Sequence, residues 1–303
     1  MIGAILAVAA QALHVALMLA AAPLLAGCVA WLRGRLLGHA GPPPLQPFHD
    51  LVRLLRKQAV LPDGASWLFR AAPAADFAAS LAAIALVPSF SRGMTTAPVA
   101  DLLAVLGLLA AARAVRGLAE IDAGSSLGAV AASRTLVMAN LAEPALMVAV
   151  LTLALLGGGT NLGSLAGVPH DTGFGRWVAQ AFAVLALVPV AALDLGNIAV
   201  SYHSAIGLAL RDGAAWLRRL LWMSVLALFL PPFGIAPPDA SPIAWLPGLA
   251  IWAGKIAVLA IALAVTQTVL PNLKSIRIEQ ALGAALLAAL LGAVVLFASQ
   301  GFA

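Results

Sequence analysis

Charge is scarce in this chain: 10% of its 303 residues are Asp, Glu, Lys or Arg, against 63% hydrophobic. A soluble domain of this length would need far more charge to cover its surface. Tyrosine occurs once, and with 10 Phe and 7 Trp the chain is too poor in aromatics for a base-stacking face. The 17 Lys and Arg give a formal charge of +5, but they are diluted through long apolar runs and form no groove-sized patch. Nucleic acid is therefore excluded as a partner, and membrane topology explains the basic residues better. Cysteine occurs once, at Cys28, so the chain alone holds no iron–sulfur cluster, zinc site or disulfide. Cys28 reads as a small apolar helix residue. Of the five histidines only His14 falls within an apolar run, which leaves no pair for a haem inside the bilayer.

What is abundant is apolar length. A spanning helix needs about 20 apolar residues. Eight stretches qualify: 2–31, 71–90, 98–118, 132–156, 175–194, 214–233, 242–270 and 280–299. The expectation is an all-α polytopic membrane protein, a single integral membrane domain over 1–303 with about eight transmembrane helices. No basic residue precedes the first run, which is too long for a signal h-region, so it reads as a retained helix.

The basic residues fix an expected orientation. Arg33, Arg35, Arg53, Arg56, Lys57, Arg70, Arg113, Arg116, Arg134, Arg211, Arg218, Arg219, Lys274 and Arg277 fall on the odd-numbered connections or their helix ends. Only Arg92, Arg176 and Lys255 do not. The positive-inside rule then puts the odd connections in the cytoplasm and both termini on the non-cytoplasmic side of the cell (inner) membrane.

The first of those connections carries Pro47-Phe-His-Asp-Leu-Val-Arg-Leu-Leu-Arg-Lys57. Phe48, Leu51, Val52 and Leu55 follow helical spacing, while Asp50, Arg53, Arg56 and Lys57 take the polar side. This predicts an interfacial amphipathic helix over 47–57, started by Pro47. It serves either as a lipid-surface anchor or as a docking surface for a soluble partner.

Ionisable residues inside apolar runs need a reason, since each costs about 2.5–3.5 kcal/mol to insert. Glu143 lies roughly 13 Å deeper than Arg134 along one helix. Pro144 follows it and removes a backbone donor, where a kink admits water or a polar neighbour. Glu143 reads as a proton-exchanging group or as a carboxylate neutralised for packing. Lys255 is the matching base, either paired with Glu143 or snorkelling. His14 reads as a histidine hydrogen-bonded in the bundle, and Asp76 and Asp101 as caps or interfacial acids near helix ends. Glu120 and Asp122 face the basic side, before a tight turn at Gly124-Ser125-Ser126. The fifth connection holds Asp194, Tyr202, His203, Arg211 and Asp212 and is too apolar for an ordinary loop, so it predicts a short surface or re-entrant helix.

At these loops the chain resembles the membrane subunit shared by respiratory complex I, an NADH dehydrogenase, and the energy-converting hydrogenases. The branch it is most similar to holds formate hydrogenlyase subunit 4 and hydrogenase-4 component C. The resemblance rests on Gly41-Pro-Pro-Pro-Leu-Gln-Pro-Phe-His-Asp-Leu-Val-Arg-Leu-Leu-Arg-Lys57, Ser66-Trp-Leu-Phe-Arg-Ala-Ala-Pro73, Asp122-Ala-Gly-Ser-Ser126, Ala132-Ser-Arg134, Glu143-Pro144 and Leu273–Gly283. It implies a non-catalytic subunit of a multi-subunit oxidoreductase that docks a cytoplasmic iron–sulfur and nickel–iron arm to the lipid bilayer. Redox events there would be linked to proton or sodium movement through antiporter-like membrane subunits. It implies no cofactor on this chain alone and leaves room for a quinone at the cytoplasmic-side interface. By matching positions Asp122, Arg134 and Glu143 become the cytoplasmic end of a polar pathway, joined by Lys255, Asp194 and His203. Gln46, Asp50, Arg53, Arg56 and Lys57 become the docking element. Two acids of the family pattern are missing, with Ser204 after His203 and Gln267 ahead of the last basic loop. The competing readings are a stand-alone secondary transporter or channel with Glu143 and Lys255 at its ion site, and a purely structural anchor.

Overall fold

Four short polar residues start helices where the apolar runs alone would not place the boundary. Ser66, Asp101, Ser125 and Asn161 have extended backbone, and each side chain accepts from a backbone N–H two or three residues on. In the computed structural model, which describes residues 2–60, 62, 64–166, 173–196, 203–230, 234–237, 240–269 and 278–301, these caps frame a helical bundle. Its helices are α1 (Ile2–Leu36), α2 (Gln46–Leu55), α3 (Trp67–Leu86), α4 (Leu102–Asp122), α5 (Ser126–Gly157), α6 (Leu162–Leu165), α7 (Gly173–Gly196), α8 (Ala205–Phe229), α9 (Pro242–Val269) and α10 (Ile278–Gly301).

Seven of these, α1, α3, α4, α5, α7, α9 and α10, are long and apolar enough to cross a membrane. The eighth expected span corresponds to α8. It has 25 residues but carries Arg211, Asp212, Arg218 and Arg219, so composition alone does not qualify it. Burial explains how it is tolerated. α8 packs against α1, α2, α3, α7 and α9, and Leu217, Leu220, Leu221 and Trp222 are at most 1% exposed. It is the axis of the main apolar core, while α10 closes the far flank against α5 and α7. α8 also begins at Ala205, so the described part of the fifth connection from Ala205 to Asp212 is the first part of this helix rather than a separate surface helix. Residues 197–202 of that connection, including Tyr202, and residues 270–277 of the last basic loop lie outside the described residues.

Two glycines decide where α2 goes. The chain leaving α1 folds straight back along it. A Cβ on Gly27 would overlap the Pro44 carbonyl oxygen, and one on Gly34 would overlap the Gly41 backbone. The three prolines after Gly41 hold this return extended. They deliver α2 onto α1 and α8, where Leu54 is buried. At the opposite end of the bundle the connections are latched to one another. Arg92 N–H donates to Ala236 O at 3.0 Å and Ala236 N–H to Phe90 O at 2.9 Å, while Leu102 N–H donates to Thr160 O at 3.0 Å and Leu162 N–H to Ala100 O at 2.8 Å. Among the described residues, extended pairing is limited to such isolated bridges.

Candidate functional site

The bundle interior holds a column of ions between α3, α4 and α8. The Asp76 carboxylate is 1% exposed; its Oδ1 accepts from Arg218 Nη1 at 2.5 Å and lies 4.0 Å from Arg116 Nη1. Arg218 also donates to Ser80 Oγ at 3.0 Å. Closer to α2, Arg211 Nη2 meets Glu120 Oε1 at 2.6 Å, both groups buried. The helix geometry explains the ladder. On α4, Arg113, Arg116 and Glu120 recur at three- and four-residue steps, and on α8 Arg211 and Arg218 are one heptad apart, so each set lies on one face. α4 and α8 run antiparallel, which brings Glu120 to Arg211 while Arg218 reaches the Asp76 level. Asp76 is roughly 14 Å from either end of α3, so this pair is at mid-membrane depth. Arginine stays charged under all ordinary conditions, so both carboxylates are held against fixed cations.

This column departs from the sequence expectation in two ways. Asp76 is not near a helix end, because Ser66 starts α3 several residues before the expected 71. Asp101, by contrast, does cap α4, accepting from Leu103 N–H at 2.7 Å. Arg113, Arg211 and Arg218 are buried in the bundle rather than exposed at a connection, and Arg211 and Arg218 pair with acids on other helices. The missed signal was legible: charges seven residues apart, in register on two otherwise apolar helices.

The residues expected to form a pathway are dispersed. Asp122 closes α4 and binds the start of α3, its Oδ2 accepting from Ser66 N at 3.0 Å, Ser66 Oγ at 2.8 Å and Phe69 N at 3.2 Å. His203 lies beside it, stacked on Phe69 with centroids 4.1 Å apart and donating from Nε2 to Phe69 O at 3.2 Å. Its Nδ1 is buried without a hydrogen-bond partner among the described residues. Burial pushes the His203 pKa down, opposed by the Phe69 carbonyl and aided by the Arg211 charge. Arg134 and Glu143 are on the exposed side of α5, not inside the bundle. Lys255 is half-buried on α9, its Nζ 3.3 Å from Ala227 O. α5 packs on α4, α7 and α10, whereas α9 packs on α1 and α8, so Glu143 and Lys255 occupy separate flanks. Asp194 is in the last turn of α7, and its side chain lies outside the described residues.

The amphipathic helix expected over 47–57 forms over Gln46–Leu55, and the capping residue Arg56 follows. Gln46 Nε2 donates to Asp50 Oδ1 at 3.4 Å, and Arg53 pairs with the same oxygen at 3.0 Å. Arg53, Arg56 and Lys57 are exposed. The buried apolar residue is Leu54, supported by half-buried Phe48 and Leu51, while Val52 and Leu55 face outward beside the cations. The helix therefore has one apolar stripe for the bundle and a second left uncovered. Among the described residues no group of three His, Cys, Asp or Glu could hold a metal ion.

Known proteins place this architecture. Formate hydrogenlyase subunit 4 of Escherichia coli (strain K12) is 29% identical over 59% of this chain and 58% of its own length. That match spans less than two thirds of the relative. Hydrogenase-4 component C of the same organism is 27% identical over 71% of this chain and 72% of its own. Among solved structures, a chain of the membrane-bound sulfane sulfur reductase, an archaeal respiratory membrane complex, shares the fold with a TM-score of 0.74 at 16% identity. That alignment covers 94% of this chain and 97% of that one. The NADH dehydrogenase family profile matches residues 5–298, nearly the whole sequence, and this multi-pass membrane chain belongs to that family of complex I-like membrane subunits.

Proposed function

We propose that this chain is the subunit that seats a cytoplasmic iron–sulfur and nickel–iron arm on the membrane and links its redox events to proton or sodium movement with antiporter-like neighbours. The observation that carries this reading is the contact of α2 with α8. α2 presents Arg53, Arg56 and Lys57 outward, and α8 is the helix whose Arg211 and Arg218 hold the buried carboxylates. A soluble arm bound on α2 thus pushes on a helix that supplies two arginines of the ionic column. In this reading α2 faces the cytoplasm and both termini the other side. Docking through three cations matters more than single surface pairs, each worth about 0–1 kcal/mol, because they leave water together. The stand-alone transporter reading lacks support, since Glu143 and Lys255 form no common site.

Replacing Arg53, Arg56 and Lys57 together with Gln tests the proposal. Metal-cluster subunits should pull down with the unmutated chain from detergent-solubilised membranes and be lost from the variant as ionic strength rises, while the variant still inserts. Equal retention at every salt concentration would leave α2 as a lipid anchor and refute the docking role.

A further inference from the structure

At the end of the bundle opposite α2, a small cleft opens between the end of α3, α8 and α9, mostly apolar but with a few polar groups on its wall. Ser89, Ser224, Trp252 and Lys255 line it with Pro88 and Ala227, and it admits the centre of a water molecule over about 10 Å³, room for about one water. The two side chains at its wall are more than nine-tenths buried, Ser224 at 3% exposure and Trp252 at 8%. Neither Ser224 Oγ nor Trp252 Nε1 has a hydrogen-bond partner among the described residues. A buried indole N–H and hydroxyl in an apolar bundle are costly to leave without a hydrogen-bond partner. The cleft is where that partner fits. Ser89 extends the polar line inward. His14 Nε2 is 3.1 Å from Ile84 O, which makes Nε2 the protonated nitrogen and leaves Nδ1 to accept from Ser89 Oγ at 2.8 Å. With its proton directed to His14, Ser89 offers the cleft an oxygen lone pair. The lining thus presents the Trp252 N–H and the Lys255 amine as donors, Ser89 Oγ as an acceptor and Ser224 Oγ as either, and one water satisfies the set by accepting from the first two and donating to the two hydroxyl oxygens.

We propose that this cleft binds one water that joins Lys255 to His14 through Ser89, forming a proton relay at the far end of the bundle. The step balances along the chain. An ammonium N–H of Lys255 gives its proton to the water, the water passes one of its own to Ser89 Oγ, and the Ser89 hydroxyl proton goes to His14 Nδ1. Lys255 ends neutral and His14 cationic, with no net change in water or serine. Ser224 is roughly 9 Å along α8 from Arg218, so one helix serves both the cleft and the ionic column. The transport role of the relay rests on the ion-coupling reading above, whereas the water site does not.

The test uses the full chain with its co-purifying partners in sealed liposomes, a potassium diffusion potential imposed by valinomycin, and a pH-sensitive dye. Ser89→Ala should cut proton entry at least about tenfold, and Ser89→Thr, which keeps the hydroxyl, should restore it. Wild-type entry in Ser89→Ala alongside loss in Asp76→Asn would overturn the relay and leave the ion-coupling reading intact. Infrared difference spectra in H₂¹⁸O read the site without any transport. A water O–H band shifted by isotope and lost in both Ser224→Ala and Trp252→Phe supports the site, even if no preparation conducts protons and the ion-coupling reading fails. A band unchanged by both substitutions overturns it.

Discussion

Removing the carboxylate of Asp76 leaves two guanidiniums at mid-membrane depth without their shared counter-charge. Breaking a buried ion pair from one side costs about 3–5 kcal/mol, because the remaining charge stays desolvated. Asp76→Asn keeps an acceptor for Arg218 Nη1, and Arg218 retains Ser80 Oγ at 3.0 Å, so its cost falls near the lower figure. Asp76→Leu removes the acceptor as well and belongs near the upper. Arg218→Met added to Asp76→Leu removes one of the two stranded cations and should recover part of the loss. Only part returns, because Arg116, 4.0 Å from the carboxylate in the native protein, remains. The double-mutant coupling should therefore be about 2–3 kcal/mol, at the strong end of what contacting residues show. Unfolding in mixed micelles at rising SDS fraction, followed by far-ultraviolet circular dichroism, measures all four corners of the cycle. A coupling within about 0.5 kcal/mol of zero would refute the claim that this pair is desolvated and mutually dependent.

Two other outcomes follow from the geometry around α2 and the adjoining loop. Gly27→Leu places a side chain against the Pro44 backbone, which has no flexible end to yield, so α2 should leave its seat at a cost of about 1–3 kcal/mol. Protease cleavage within 42–60 should then accelerate in reconstituted membranes, and an unchanged rate would count against the fold-back. The lowered His203 pKa gives a pH dependence with a definite sign. The unfolded imidazole takes up its proton near 6.5 and the folded one only at lower pH, so stability from this group is complete above about 6.5 and falls as pH drops toward the folded value. The neighbouring Ser204 Oγ accepts from Val60 N–H at 2.7 Å. Exchange of that amide should quicken relative to its intrinsic trend as pH drops below about 6.5, and His203→Gln should remove the excess.

The spans were legible because a membrane helix declares itself by unbroken apolar length, and even α8 was placed by its C-terminal half. The amphipathic α2 was legible for the same reason at a different period. The interior ions were not, because a linear reading treats a basic residue near a span end as a mark of the aqueous side. Arg211 and Arg218 look like loop cations until α8 is seen to begin at Ala205. Asp76 looked like a cap because nothing in a run of alanines shows that Ser66 starts the helix. For Glu143, depth along α5 was readable, but which face the carboxylate takes depends on α4, α7 and α10, and the sequence does not encode their positions locally.

The ion pairs also bear on how the chain enters the bilayer during synthesis. Asp76 and Arg218 are 142 residues apart, and Glu120 precedes Arg211 by 91. At a ribosomal pace of about 5–20 residues per second, each acid waits seconds for its arginine. Arg116, on the helix made directly after α3, shortens the wait for Asp76: the α3–α4 hairpin leaves the translocon with that carboxylate already opposed. Glu120 has its own deferral, since at the end of α4 it can stay in the headgroup layer until α8 arrives. The order of the helices along the chain is thus a schedule in which neither Asp76 nor Glu120 must cross hydrocarbon alone, and a rearranged gene that placed α8 before α3 would reverse the debt onto the arginines.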